Sequence, residues 1–334
     1  MFPRILESAD QDCLIVEAAC LYLPLLLALL GWFLTKPRQR TRTACLMATA
    51  WQLASLPWLN LMADALQWWN FPSETIKVGT LPLSLYLGWS MLWGVATPLL
   101  FLSLSGSFRV RLGITLGLAF LFDLALMPLC HPVLLLQDQW LLGELCILLL
   151  GLFPSLLLAH CVQRRRRVLY RAFHISLSFL LFFLTVCPFL LTPTGHIQAI
   201  ASISQHPWWI MLPASLLIAV ASCFGFSAVY WFARYGHGTP VPYDPPQRLV
   251  TTGPYRYCAN PMQSCMVIVL LLMALLFHNL FCLLLAVVSL CYNEGIARWS
   301  EEGDLLKKFG SDYQTYRDKT PRYFLFRPRP SRHS

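Results

Sequence analysis

Seven stretches of this chain run apolar for long enough to cross a hydrocarbon core of about 30 Å, which takes about 20 residues as helix. They are Leu14–Thr35, Ala44–Ala65, Leu81–Leu104, Leu112–Cys130, Trp140–Cys161, Phe173–Leu191 and Trp208–Ala233. In lipid an unpaired backbone N–H or C=O costs several kcal/mol, so these stretches must be helical and irregular backbone must lie at the surface. The expected fold is therefore an all-α polytopic membrane protein with about seven transmembrane helices. Composition excludes an ordinary soluble domain, since 57% of the residues are AVILMFWYC and only 12% are charged. The first stretch is too long for a removable signal peptide and lacks its basic start and small-residue cleavage site, so it is expected to remain as a helix.

The basic residues assign the sides. Placing the intervening segments alternately on two faces puts 23 of 25 Lys and Arg on one of them, with only Arg4 and Lys77 opposite. By the positive-inside rule that face is cytoplasmic, with the N-terminus outside and the C-terminus inside, in a bacterial inner membrane or the endoplasmic reticulum. The assignment requires residues 262–294 to enter and leave on the same side. That segment has two apolar halves, MQSCMVIVLLLMALLF and LFCLLLAVVSLCYN, divided at His278-Asn279. Each half reaches about 24 Å or less at 1.5 Å per residue. A helical hairpin satisfies both the charge count and the polar break. The basic residues flank apolar helices and form no face with interleaved aromatics, so no nucleic-acid partner is expected.

The RRRR run Arg164–Arg167 reads as the boundary between a five-helix block (1–165) and a C-terminal block (166–334). The Pro-rich stretch from Gly238 to Gln247, GTPVPYDPPQ, reads as a rigid extended connection, because each Pro fixes φ and removes a donor. The twelve Cys are scattered singly, with no CxxC pair and no Cys/His cluster, and read as small hydrophobes rather than as a metal or disulfide framework. Two acids fall inside apolar spans, Asp123 and Glu144. Intramembrane charges suggest function by default, but both stand close enough to the outer interface to serve structure.

Two segments flank the hairpin. The first, LVTTGPYRYCANPM (Leu249 to Met262), offers Arg256 between Tyr255 and Tyr257, then Asn260-Pro261 at a helix start. Free N–H groups at such an end favour an anionic group. The second, WSEEGDLLKKFGSDYQTYRDKTPR (Trp299 to Arg322), opens with Glu301-Glu302. It continues as an amphipathic helix with Leu305, Leu306 and Phe309 on its apolar side, which Gly310 is expected to end. Tyr313, Tyr316 and Arg317 follow at helical spacing.

This pairing of a TTGPYRYxxNPM-like loop, a hairpin and EExxLLxxFGxxYxxYRxxxPR resembles the isoprenylcysteine carboxyl methyltransferases and the related phospholipid methyltransferases, over about Phe173 to Arg322. The resemblance implies a methyltransferase that uses S-adenosyl-L-methionine at the cytosolic face and takes a lipophilic or lipidated acceptor from the bilayer. Carboxylate O-methylation of an isoprenylcysteine-like or other lipid is the favoured reaction, with lipid N-methylation as the other. It implies cofactor contacts from Tyr255, Tyr257, Asn260, Pro261, Glu301, Glu302, Tyr313 and Tyr316, with Arg256 orienting the substrate and no metal. Ala259 stands where that family commonly has an Arg, so Arg256 is the cation left for a carboxylate. Two other classes compete. An NADPH-dependent membrane reductase of the steroid-reductase type shares the layout but would show a Tyr-Pro step where this chain has SDYQTYRDKTPR. A transporter or scaffold would rest on the N-terminal helices and bind no cofactor.

Overall fold

The computed structural model describes residues 2–72, 76–191, 206–241 and 244–323, apart from the side chains of residues 2–10 and 296–302. Among these residues the chain is almost wholly helical, in the order α1 (Phe2–Thr35), α2 (Gln39–Ala65), α3 (Leu83–Ser103), α4 (Phe108–Cys130), α5 (Trp140–Gln163), α6 (Val168–Leu190), α7 (Trp208–Gly236), α8 (Pro261–Leu276), α9 (Leu280–Tyr292) and α10 (Arg298–Lys319). Two short antiparallel ladders brace the loops, Trp69–Asn70 on Leu135–Leu136 and Lys77–Val78 on Leu81–Pro82. The chain divides into two compact units. The first holds 1–167, 177–186 and 190–193, the second 168–176, 187–189 and 194–334, so α6 contributes residues to both.

Among the described residues six helices are long and apolar enough to cross a membrane, namely α3 to α7 and the Gln11–Thr35 part of α1. The seventh expected span, Ala44–Ala65, lies in α2, which has the length but not the apolarity. Its polar residues account for the difference, because they serve packing within the first unit. Gln52 Nε2 donates to Gly151 O over 3.1 Å, Trp51 Nε1 to the same carbonyl over 2.9 Å, and Trp69 Nε1 to Asn60 Oδ1 over 3.1 Å. Gln52 and Asn60 are fully buried, as are Ala44, Ala48, Ala54 and Leu56. Small residues along α2 let neighbouring backbones close in, which is how helices associate where no hydrophobic force separates protein from lipid.

Wider π-helical turns interrupt α3 at Leu92–Ala96, α5 at Leu148–Leu152 and the end of α6 at Phe182–Leu190. A proline lies just beyond each of the first two, Pro98 and Pro154, and inside the third, Pro188. Proline has no N–H to donate and its ring crowds the carbonyl four residues back, so the preceding turn opens. Thr97 Oγ1 takes up part of the slack by donating to Leu92 O over 2.7 Å.

In the second unit α7 packs along α8 through small residues. A Cβ on Gly225 would lie 3.2 Å from Cys265 Cβ. The expected hairpin is present as α8 and α9. His278 turns the chain with φ 46°. Asn279 Oδ1 caps α9 by accepting from Phe281 N at 2.9 Å and Cys282 N at 3.2 Å, while its Nδ2 donates to Pro188 O at 2.9 Å.

Two local expectations are corrected. The Gly238–Gln247 stretch, of which residues 242–243 lie outside the described set, does not extend. It folds back on α7, with Gln247 N and Arg248 N both donating to Gly236 O and Thr239 N to Asp244 O. An ion pair of 2.5 Å between Arg171 of α6 and Asp244 holds the turn. Proline fixes φ residue by residue, but the pair and the two glycines Gly236 and Gly238 decide the path. Gly310 does not end its helix either. It takes φ 53° and ψ −127°, and helix resumes beyond it, so α10 is kinked.

Candidate functional site

The loop before α8 is shaped by Gly253. Its φ of +62° is a left-handed value that costs an L-residue, and a Cβ there would lie 2.5 Å from the Trp231 ring. Gly253→Ala is therefore expected to lower stability by about 1–3 kcal/mol from backbone strain alone, with the ring displaced besides. The melting temperature in detergent reads this out, and a value equal to wild type would show that the turn is dispensable.

Beyond the glycine, Gly253–Arg256 forms one 3-10 turn closed by Tyr257 N to Pro254 O at 3.1 Å. Tyr255 is buried with Ala228 and Val250, against Trp231, Phe232, Met262 and Tyr316. Tyr316 donates its hydroxyl to Tyr255 O over 2.8 Å. Burial, with Cys258 and Tyr313 beside it, pushes the Tyr316 phenol upward, so it stays a protonated donor. Tyr313 is buried on the same tail helix. The Cys258 thiol is likewise pushed up by burial and donates to Arg322 O over 3.0 Å.

Tail and loop meet through backbone as well, with Ala259 N donating to Pro321 O over 2.9 Å. Asn260 precedes the helix without capping it, and instead gives Nδ2 to Asn293 Oδ1 over 3.1 Å. Asn260 begins α8 and Asn293 ends α9, so this bond joins the two feet of the hairpin. Pro261 is buried at the first helical position. Arg322 closes the group, with Nε 2.9 Å from Glu294 Oε1 and a second nitrogen donating to Asn293 O. Tyr323 donates to the same Glu294 oxygen.

Of the residues singled out in the sequence, Tyr255, Asn260, Pro261 and Tyr316 come together here. Tyr257 is exposed, its ring 6.4 Å from Phe224. Arg256 is exposed. Glu301 and Glu302 lie on the backbone of α10, but their side chains fall outside the described residues. His237 is the left-handed cap of α7 and His278 packs its ring on His206, 4.7 Å away. Sequence reasoning passed over Asn293 and Glu294, although a second Asn at the opposite foot of the hairpin was a usable signal, and it gave Arg322 no role.

The arrangement fits a polar ligand with both donors and acceptors. Asn293 is 1% exposed and its Nδ2 has no partner among the described residues, and neither has Gln263 Oε1 within the first turn of α8. A buried donor or acceptor left unmade costs about 1–3 kcal/mol, so a donor and an acceptor in this state beside a helix start suit a zwitterionic amino-acid moiety or a nucleoside. Among the described residues no group of three His, Cys, Asp or Glu could hold a metal ion.

Residues 209–312 match a family model described as phospholipid methyltransferase (PEMT). The matched segment runs from α7 through the loop and hairpin into α10, and the likeness drawn from the motifs holds over it. No curated protein and no solved structure matches the chain.

Proposed function

We propose that this chain, a membrane methyltransferase by its phospholipid methyltransferase segment at 209–312, takes its methyl group from S-adenosyl-L-methionine and passes it to a lipophilic acceptor that enters from the bilayer. The observation that carries the reading is the convergence of loop and hairpin feet within the matched block, joined by Asn260 to Asn293, with the tail just beyond that block tied back by Ala259 N to Pro321 O. The cofactor would supply a sulfonium methyl, transferred by in-line displacement.

The chain's own part is binding and alignment, which can supply several kcal/mol of such a barrier. Asn293 Nδ2 and Gln263 Oε1 would hold the cofactor's polar end, and Glu301 and Glu302 would meet its ammonium or ribose hydroxyls. The bond from half-buried Tyr316 to buried Tyr255 keeps the loop from unwinding when the ligand leaves. The first acceptor to test is a phospholipid, as the matched family is described. The second is an isoprenylcysteine-like carboxylate, for which exposed Arg256 is the available cation, since Arg322 is committed to Glu294. A carboxylate would need no general base, whereas an ammonium must first lose its proton.

Membranes with and without the protein, given a labelled methyl donor, are expected to differ in labelled extractable lipid, and base-labile label would mark an ester. Purified protein should also bind S-adenosylhomocysteine in calorimetric titration. Folded protein that binds none would overturn the proposal.

A further inference from the structure

The least expected side chains in the first unit are Asp123 of α4 and Glu144 of α5, 3% and 2% exposed. Glu144 stands four residues after Trp140 and Asp123 seven before Cys130, so each is about 6–10 Å from its helix end at 1.5 Å per residue. The two carboxyl groups are hydrogen-bonding neighbours. Their outer oxygens, Asp123 Oδ2 and Glu144 Oε1, have no partner. Both residues line a cavity of about 10 Å³, room for one water.

A third group there is also unsatisfied. Trp93 lines the same cavity, is 3% exposed, and its indole N–H has no partner. Asn60, another wall residue, has both ends engaged, its Oδ1 accepting from Trp69 Nε1 and its Nδ2 donating to Leu56 O. The cavity therefore presents two acceptors and one donor, which one water can satisfy by donating twice and accepting once.

Charge decides what else is held. Among the described residues no Lys or Arg lines the cavity. The other titratable groups nearby are Cys130 of α4, Cys20 of α1 with its sulfur 3.7 Å from that of Cys130, and Glu17 beside Cys20. None brings a positive charge. Two touching carboxylates cannot both stay ionised in a low-dielectric interior without a cation, so one of them retains a proton. A metal ion as that cation is disfavoured by the Trp93 N–H, which presents its positive end to the same space.

We infer that Asp123 and Glu144 form a proton-binding site in the N-terminal unit, with one proton held between the two carboxyl groups and one water joining their outer oxygens to Trp93. The pair carries a single negative charge when so loaded. A second proton makes it neutral, and the short distance to the helix ends gives protons a route of one or two turns.

Infrared difference spectra of the full-length protein in lipid nanodiscs test this. At neutral pH the wild type is expected to show a protonated-carboxyl band that Asp123→Asn with Glu144→Gln removes. Each single substitution should shift the band, because the proton then faces an amide in place of a carboxylate. Trp93→Phe should leave the carboxyl band and abolish a weakly bonded water O–H band identified by exchange into heavy-oxygen water. A wild type without such a carboxyl band, or with one that appears only when sodium is withdrawn, overturns the site. Should the double variant fail to fold, unshifted bands in both single variants overturn it equally.

Discussion

Arg171→Met is expected to destabilise the second unit by about 3–5 kcal/mol, the usual result of removing one partner from a buried ion pair. The Arg171 side chain is 4% exposed and Asp244 16%, and their 2.5 Å contact pins the turn that returns the chain from α7 toward the loop at Gly253. Without the guanidinium, Asp244 keeps a charge that neither water nor another cation fully solvates. Most of the cost is that stranded charge rather than the worth of the pair. Arg171→Met combined with Asp244→Leu should therefore recover most of the loss, because a well-packed apolar replacement of such a pair is often neutral. Melting temperatures of the two variants decide it. A double variant no more stable than Arg171→Met would show that Arg171 acts through other contacts.

Glu301→Gln and Glu302→Gln are expected to weaken S-adenosylhomocysteine binding while leaving the fold intact. A charge-assisted hydrogen bond from a carboxylate to the ligand is worth about 1.5–3 kcal/mol, which is about 10- to 150-fold in affinity. A surface substitution away from special contacts changes stability by about 0.5 kcal/mol or less. Asn260→Ala should give a smaller loss through its neutral amide, and Asp123→Asn none, since that residue belongs to the first unit. Calorimetric titration beside melting temperature separates binding from folding. Equal affinity for wild type and both Glu variants would leave the acids as a solvated first turn and move the site onto Asn293 and Gln263.

The membrane-crossing helices and the hairpin could be read from the chain because each depends on local pattern. An apolar run sets a span, and the His278-Asn279 break supplies both a turn and a cap within three residues. The features that escaped depend on partners distant in sequence. Gln52 sits inside an expected span with no visible role until Gly151 is beside it, and the proline stretch looks extended until Asp244 meets Arg171 from 73 residues away. Gly310 was recognised as a breaker, but whether helix resumes after it depends on what Tyr313 and Tyr316 pack against. At the site, Asn260 was visible from its place before Pro261, whereas Asn293 and Glu294 end a helix whose apolar run hides them. Glu301 and Glu302 rest on the family likeness alone.

The hairpin is a strut pinned at both ends. At its tip every polar group of the Asn279 side chain is taken up by protein, and at its feet Asn260 holds Asn293. Its helices of 16 and 13 residues reach about 24 and 20 Å at 1.5 Å per residue, short of a core of about 30 Å. With both feet at one face of a bilayer, helices of that length would leave the tip short of the other face, and its polar groups, already taken up by protein, would call on no water there. Sliding one helix by a turn would break both pins at once, so the tip and the loop that the strut supports are held in one register.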